Sequence, residues 1–91
     1  MTPREKLKVL LHEYSHHIHL THYYQQVESR AESEMIANGS AFSVCKESGL
    51  KVCKEVDLSK FTEDAVVVNR LESTIQSVAG HILNGLNRVS Q

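Results

Sequence analysis

Seven apolar residues in the last third of this chain recur at spacings of 4-4-3-4-4-3. That period places them on one face of an α-helix, and such a face has to be covered by the core or by another copy of the chain. The residues are Val67, Leu71, Ile75, Val78, Ile82, Leu86 and Val89. Thr62 is a suitable N-cap, with Glu63 and Asp64 placed to complement the helix dipole in the first turn. The pattern predicts a helix over residues 62–88.

Two capping boxes predict two earlier helices. In Thr2-Pro3-Arg4-Glu5, the Thr hydroxyl and the Glu carboxylate can each accept from the other residue's backbone N–H. Ser29-Arg30-Ala31-Glu32 repeats this arrangement. We therefore expect helices over residues 3–22 and 29–48, and Gly49 is a suitable left-handed C-cap for the second.

The chain is predicted to fold as a compact all-α, three-helix, single domain spanning residues 1–91. Gly39, inside the second helix, indicates close approach of a neighbouring helix. Residues 50–61 are expected to form mostly loop; their apolar residues at even positions would suit a short extended segment, but Lys54 interrupts that pattern. The apolar stripe expected on the first helix comprises Leu7, Leu10, Leu11, Tyr14 and Ile18.

Composition excludes several classes of function. The net charge is −1 and no basic block stands out, so we expect no direct binding of nucleic acid. The longest apolar run, residues 65–68, is too short to span a membrane, and residues 1–6 lead into no apolar segment of a signal peptide. These features favour a cytoplasmic protein. Cys45 and Cys53 are expected to be two reduced thiols, with a disulfide as the alternative.

The stretch His12-Glu13-Tyr14-Ser15-His16 carries the clearest chemical signal. It reads H-E-x-x-H on a predicted helix, and residues four apart lie on one face, so both imidazoles can bind one cation. Glu13 lies to the side of that face, where it can act as general base toward a water that the ion activates. The motif predicts a zinc site, with manganese as the alternative metal.

A third ligand is expected from the second helix. If the first two helices form an antiparallel hairpin, Glu34 returns to about the height of His16, since they lie roughly 7.5 Å and roughly 9 Å from the turn at 1.5 Å per residue. Asn38 lies one turn after Glu34 and is expected to orient a ligand through a hydrogen bond. Glu28 and Glu32 are weaker candidates, because Glu28 falls in the turn and Glu32 points about 200° away from Glu34.

The remaining histidines and tyrosines have less defined roles. A rival ligand set on one helix would use His19 with the two motif histidines. It is less favoured because His19 is rotated around the helix axis from the face that carries the other two. The sequence does not select among three side chains that could stabilise an oxyanion: His22, Tyr23 and Tyr24. Three other histidines are expected at the surface: His17, His19 and His22. His81 is expected at the surface or partly buried.

Glu34-Met35-Ile36-Ala37-Asn38 reads E-x-x-A-N and follows the H-E-x-x-H motif. The two motifs together resemble the ImmA/IrrE family of zinc metallopeptidases. The longer stretch over residues 31–45, with Gly49-Leu50, is similar to the peptidase-like domain of ArdC-type antirestriction proteins, which travel on mobile elements. The similarity covers about residues 7–86.

The resemblance implies metal ligands at His12, His16 and Glu34, with Glu13 as catalytic acid and base, and a protein or peptide substrate. Members of the family usually carry a small β-sheet before the motif helix, and ArdC-type proteins carry an N-terminal DNA-binding domain. The first predicted helix here begins near residue 3, so a missing N-terminal partner domain or a homo-oligomer is expected to complete the substrate site. Two alternatives stay open: an inactive peptidase-like interaction module, and an all-α dimer whose seam is the third helix.

Overall fold

Helices account for most of the described chain. The computed structural model describes the backbone of residues 2–23, 29–51 and 53–90 and the side chains of these residues as far as Gly85. Its helices are α1 (Pro3–His22), α2 (Arg30–Glu47) and α3 (Ala65–Ser90), with a 3₁₀ turn at Leu58–Lys60. No strand occurs among these residues, so the predicted all-α, three-helix fold is confirmed. The Cα radius of gyration, 12.8 Å, is close to the value of about 12 Å for a compact chain of this length.

The ends of α1 and α2 follow local hydrogen bonding. The Glu5 N–H donates to Thr2 Oγ1 at 3.2 Å and the Thr2 N–H donates to the Glu5 carboxylate at 3.3 Å, which confirms the first capping box. At α2 the Glu32 N–H donates to Ser29 Oγ at 3.2 Å, but the Glu32 carboxylate pairs with Arg70 on α3 instead of reaching back. Gly49 follows α2 with φ +74°, the left-handed conformation expected of it.

The predicted start of α3 at Thr62 is wrong by three residues. The helix begins at Ala65, and Glu63 and Asp64 precede it. Asp64 takes the capping role, because its carboxylate accepts from the Val66 N–H at 2.9 Å. Thr62 Oγ1 accepts from the Asp64 N–H at 3.2 Å and so stabilises the turn before the helix.

The core lies where α2 packs against both other helices. Helix α2 contacts α1 and α3 to a similar extent, and α1 and α3 contact each other less. The predicted face of α3 supplies much of this core as far as side chains are described, with Leu71 and Val78 completely buried. The last two residues of that stripe, Leu86 and Val89, have side chains outside the described part.

The predicted apolar stripe of α1 is partly wrong. Leu11 and Ile18 are buried, but Leu10 and Tyr14 are 65% and 42% exposed. Helix α1 is rotated so that Ser15 enters the interior instead, and the Ser15 hydroxyl is satisfied by donating to the Leu11 carbonyl at 2.7 Å.

Gly39 of α2 lies directly against Ile75 of α3. A Cβ atom at this position would lie 2.5 Å from Cδ1 and 3.1 Å from Cγ1 of Ile75. Since Ile75 is itself buried, a side chain at position 39 has to displace part of the core. The close approach predicted from the sequence is therefore confirmed.

We expect Gly39→Ala to lower the free energy of unfolding by about 1 kcal/mol, because overpacking outweighs the gain in helix propensity. Urea unfolding monitored by circular dichroism measures it, and adding Ile75→Val should restore much of the loss. Gly80→Ala in α3 is the matched control. Nothing lies within 4 Å of a Cβ at Gly80, so this variant should be stabilised by up to about 1 kcal/mol. Equal effects of the two alanines would contradict the close approach.

His19 is buried, which contradicts the surface position expected from the sequence. Its side chain is fully inaccessible, and neither ring nitrogen has a hydrogen-bond partner within the described residues. Burial, with a smaller contribution from His16, lowers the pKa of His19 below its ordinary value of 6.5. An apolar environment disfavours the imidazolium, so His19 is held in its neutral form.

The lowered pKa makes the stability contributed by His19 depend on pH. Above about pH 6.5 the His19 ring is neutral in both the folded and the unfolded chain. Below that pH only the unfolded chain binds a proton, because the folded pKa is lower. The free energy of unfolding therefore falls by up to about 1.4 kcal/mol per pH unit. We expect His19→Met to remove this loss. Urea unfolding in EDTA measures the free energy of unfolding at about pH 7.5 and about pH 5.5. This free energy should fall less for the variant than for the wild type at the lower pH. If the free energy of unfolding changes equally with pH in both proteins, His19 is not the cause of the loss.

Candidate metal centre

His12, His16 and Glu34 converge in the structure. The two histidines lie one turn apart on α1, and Glu34 lies on α2. His16 Nε2 is 3.1 Å from His12 Nε2 and 2.9 Å from Glu34 Oε1, and His12 Nε2 is 3.2 Å from Glu34 Oε2. Each of the three residues is partly buried, and each is supplied by α1 or α2.

These spacings are close to those of a coordination shell. Zinc binds nitrogen and oxygen at about 2.0–2.2 Å, and tetrahedral geometry then places neighbouring donors about 3.3–3.5 Å apart. The observed separations, 2.9–3.2 Å, involve both oxygens of Glu34 and are a few tenths of an ångström shorter. Within the described part of the chain, this is the one group of three or more His, Cys, Asp or Glu side chains that could hold a metal ion.

Asn38 contacts the outer ring nitrogen of His12. Asn38 Oδ1 lies 2.8 Å from His12 Nδ1, a spacing at which this nitrogen donates to the amide oxygen when it carries the ring proton. In that tautomer Nε2 presents its lone pair toward the carboxylate of Glu34. Two acceptors 3.2 Å apart repel unless a proton or a cation lies between them. This arrangement is the one a metal ligand needs, and it gives Asn38 the orienting contact expected of it.

Ser33 is a second contact to the cluster, and the sequence reasoning missed it. Its hydroxyl lies 3.4 Å from His16 Nδ1, a longer contact than that of Asn38. A usable signal existed in the sequence, because Ser33 lies one helical turn before the small residue Ala37, and small residues mark a face that another helix can approach closely. Both histidines therefore have their outer ring nitrogens against polar side chains of α2.

Glu13 is in the same turn as the two histidines but does not join them in the cluster. Its side chain is exposed, and among the described residues it makes no hydrogen bond or ion pair. A carboxylate with this freedom can exchange protons with water. Its position follows from helix geometry, which turns it about 60° around the axis from His16.

The other candidates from the sequence lie elsewhere. Glu32 is buried against Arg70 of α3, on the far side of α2 as expected. His22 is exposed, with its ring 4.5 Å from that of the half-buried His81, and Tyr23 packs against the core. His19 is buried outside the cluster and His17 is exposed, stacked on Tyr14. Two candidates, Tyr24 and Glu28, lie outside the described residues.

A groove of about 250 Å³ opens beside His12. Lys8 and Asn38 form one part of its lining, and residues 53–56 of the loop between α2 and α3 form another. A larger cavity, of about 600 Å³, lies on the other side of that loop against α2 and α3, and no residue of the cluster lines it. Of the three cluster residues, only His12 lines the smaller groove, so this groove borders the cluster on the His12 side.

Comparison with known proteins returns nothing: no family model matches the chain, and neither a curated protein nor a solved structure is significantly similar to it. Within the residues described, none of the helices combines the length and hydropathy needed to cross a bilayer. The site's own geometry is thus the evidence for function.

We expect His16→Ala to weaken zinc binding by more than about 100-fold, beyond the loss typical of outer contacts, because it removes one of three donors. Asn38→Ala should cost about 10- to 100-fold by releasing the His12 ring. Competition with a chromogenic chelator measures each affinity. His17→Ala is the matched control, since His17 neighbours His16 but is exposed away from Glu34. Equal losses in His16→Ala and His17→Ala would show that the cluster is not the binding site.

Proposed function

We propose that the chain is a metal-dependent peptidase, or a peptidase-like protein, that binds zinc through His12, His16 and Glu34. The observation that carries this proposal is the convergence of two imidazole nitrogens and a carboxylate on one point, with Asn38 in contact with the outer ring nitrogen of His12. Two nitrogens and one oxygen form a donor set typical of catalytic zinc, which uses three protein ligands and keeps one position open. Manganese is the alternative, because it also accepts carboxylate and imidazole.

The chain supplies a complete set of groups for hydrolysis. A divalent ion bound there would act as a Lewis acid, polarising a substrate carbonyl and making water a better nucleophile. Glu13 accepts the proton of the attacking water and donates it to the leaving amine. Asn38 and Ser33 hold the two imidazoles in place while this occurs.

The resemblance to ImmA/IrrE-type metallopeptidases and to ArdC-type antirestriction proteins supports the same reaction class. The paired H-E-x-x-H and E-x-x-A-N motifs carry that resemblance, and their ligand positions are the residues that converge. On this proposal α1 is a zincin-like motif helix, and the substrate is a protein or peptide. A groove of about 250 Å³ is smaller than the roughly 300–1,000 Å³ typical of ligand sites, so we propose that a partner surface holds the rest of the substrate.

The exposed apolar residues of α1 favour a second candidate, an interaction module that binds a partner without cutting it. Val9, Leu10 and Leu20 are 48%, 65% and 50% exposed, and Tyr14 is 42% exposed. These residues lie on the same helix as the motif. Exposed apolar groups gathered on one element are typical of surfaces that contact another protein.

We expect Glu13→Gln to abolish hydrolysis while leaving zinc affinity within about threefold of wild type, because glutamine cannot accept the proton and Glu13 is not a ligand. The substrate to use is a mixture of quenched fluorescent peptides, with zinc loading measured by elemental analysis. Glu5→Gln, an exposed change at the other end of α1, is the control. Equal hydrolysis in wild type and Glu13→Gln would contradict the role of Glu13. Zinc binding without cleavage of any peptide would favour the interaction module, and no zinc binding would contradict the peptidase.

A further inference from the structure

The sulfurs of Cys45 and Cys53 are in contact beside the groove. They lie 3.2 Å apart, with Cys45 in the last turns of α2 and Cys53 in the following loop. A disulfide bond is about 2.05 Å long, so the two sulfurs need to approach by only about 1 Å to be joined. Cys45 is almost completely inaccessible, whereas Cys53 is half-buried and lines the groove together with His12.

We propose that Cys45 and Cys53 are a reversible dithiol–disulfide site, whose oxidation fixes the wall of the groove beside His12. The disulfide itself rests on the contact between the two sulfurs. Its effect on access to the metal centre rests on the proposed function.

The reaction requires a small disulfide such as oxidised glutathione as oxidant. The Cys53 thiolate attacks one glutathione sulfur, the glutathione S–S bond breaks, and one glutathione thiolate leaves. The Cys45 thiolate then attacks the Cys53 sulfur, which forms the Cys45–Cys53 bond and releases the second glutathione thiolate. Two electrons pass from the protein to glutathione, and the two cysteine protons balance the two thiolates released.

The order of attack follows from exposure. Cys53 meets the oxidant first because it borders the groove, whereas Cys45 is 1% exposed and is reached only from Cys53. A half-exposed thiol next to a buried one is the arrangement in which a mixed disulfide is resolved within the chain rather than by a second glutathione.

Backbone hydrogen bonds restrain little of the segment that the disulfide would fix, although Val56 packs against the core. The Leu50 N–H donates to the Cys45 carbonyl at 2.8 Å, and from there to Asp57 no further backbone hydrogen bond is found among the described residues. Glu55 and Val56 line both the groove beside His12 and the larger cavity, so this segment is the wall between them. A bond from Cys53 to α2 holds that wall against the helix and limits its opening.

Mass spectrometry of the full chain after treatment with oxidised glutathione tests the disulfide. Wild type should lose two hydrogen atoms and retain no glutathione, and dithiothreitol should reverse the change. Cys45→Ser should stop with one glutathione on Cys53. Cys53→Ser should react at least about tenfold more slowly than the wild type, because its remaining thiol, Cys45, is buried. Stable glutathione adducts on the wild type, or no reaction, would overturn the proposal.

Two readouts test the groove wall. Tryptic cleavage after Lys54 in metal-free protein should slow by at least about threefold on oxidation, since the loop opens less often. Transfer of bound zinc to a chelator should slow in the same way, and the double variant Cys45→Ser/Cys53→Ser should show neither effect. A disulfide that forms without slowing cleavage would overturn the role of the wall. A chain that shows slowed cleavage but binds no zinc would overturn the proposed function and leave the dithiol site supported.

Discussion

The packing of α1 against α2 is the constraint on which the rest of the structure depends. Small residues are buried on both helices, Ser15 on α1 and Ala37, Ser40 and Ala41 on α2. Such residues let two backbones come close, and the distance between the backbones determines which side chains can meet across the edge of the contact. The cluster lies at that edge, because His12 and His16 flank the buried face of α1. A wider separation of the helices would take Glu34 out of reach of both imidazoles.

The rotation of α1 that brings the cluster together leaves other side chains in unfavourable positions. Each residue turns a helix by about 100°, so burying Leu10 and Tyr14 would swing the face that carries His12 and His16 away from α2. The observed rotation exposes those two residues and buries His19 with both ring nitrogens lacking partners in the described chain. Strained or unsatisfied groups of this kind are found at functional sites, where local stability is lost to keep a geometry. The same rotation of α1 thus exposes Leu10 and Tyr14, buries His19 and brings His12 and His16 next to Glu34.

The cluster, the groove and the two thiols form one connected region. Asn38 contacts His12 from α2 and also lines the groove, and Cys53 lines the same groove from the loop. Helix α2 therefore supplies Glu34 to the cluster, Asn38 to its support, and Cys45 to the sulfur contact. On the other face of α2, the Glu32–Arg70 ion pair and the contact at Gly39 hold α3. Because α2 is held by α1 on one side and α3 on the other, Glu34 and Asn38 stay opposite the histidines of α1.

Much of the fold and the grouping of site residues could be predicted from the sequence, because they depend on local chemistry and helical period. Capping residues fixed the start of α1 and α2, the apolar spacing identified the core face of α3, and residues four apart on α1 brought His12 next to His16. The distance along two helices was enough to pair them with Glu34. Tertiary structure decided the rest: that α1 turns His19 inward and Tyr14 outward, that Ser33 reaches His16, and that Cys53 meets Cys45. These outcomes depend on how helices rotate and approach one another, and the energies that choose among rotations come from the whole interface rather than from any one segment.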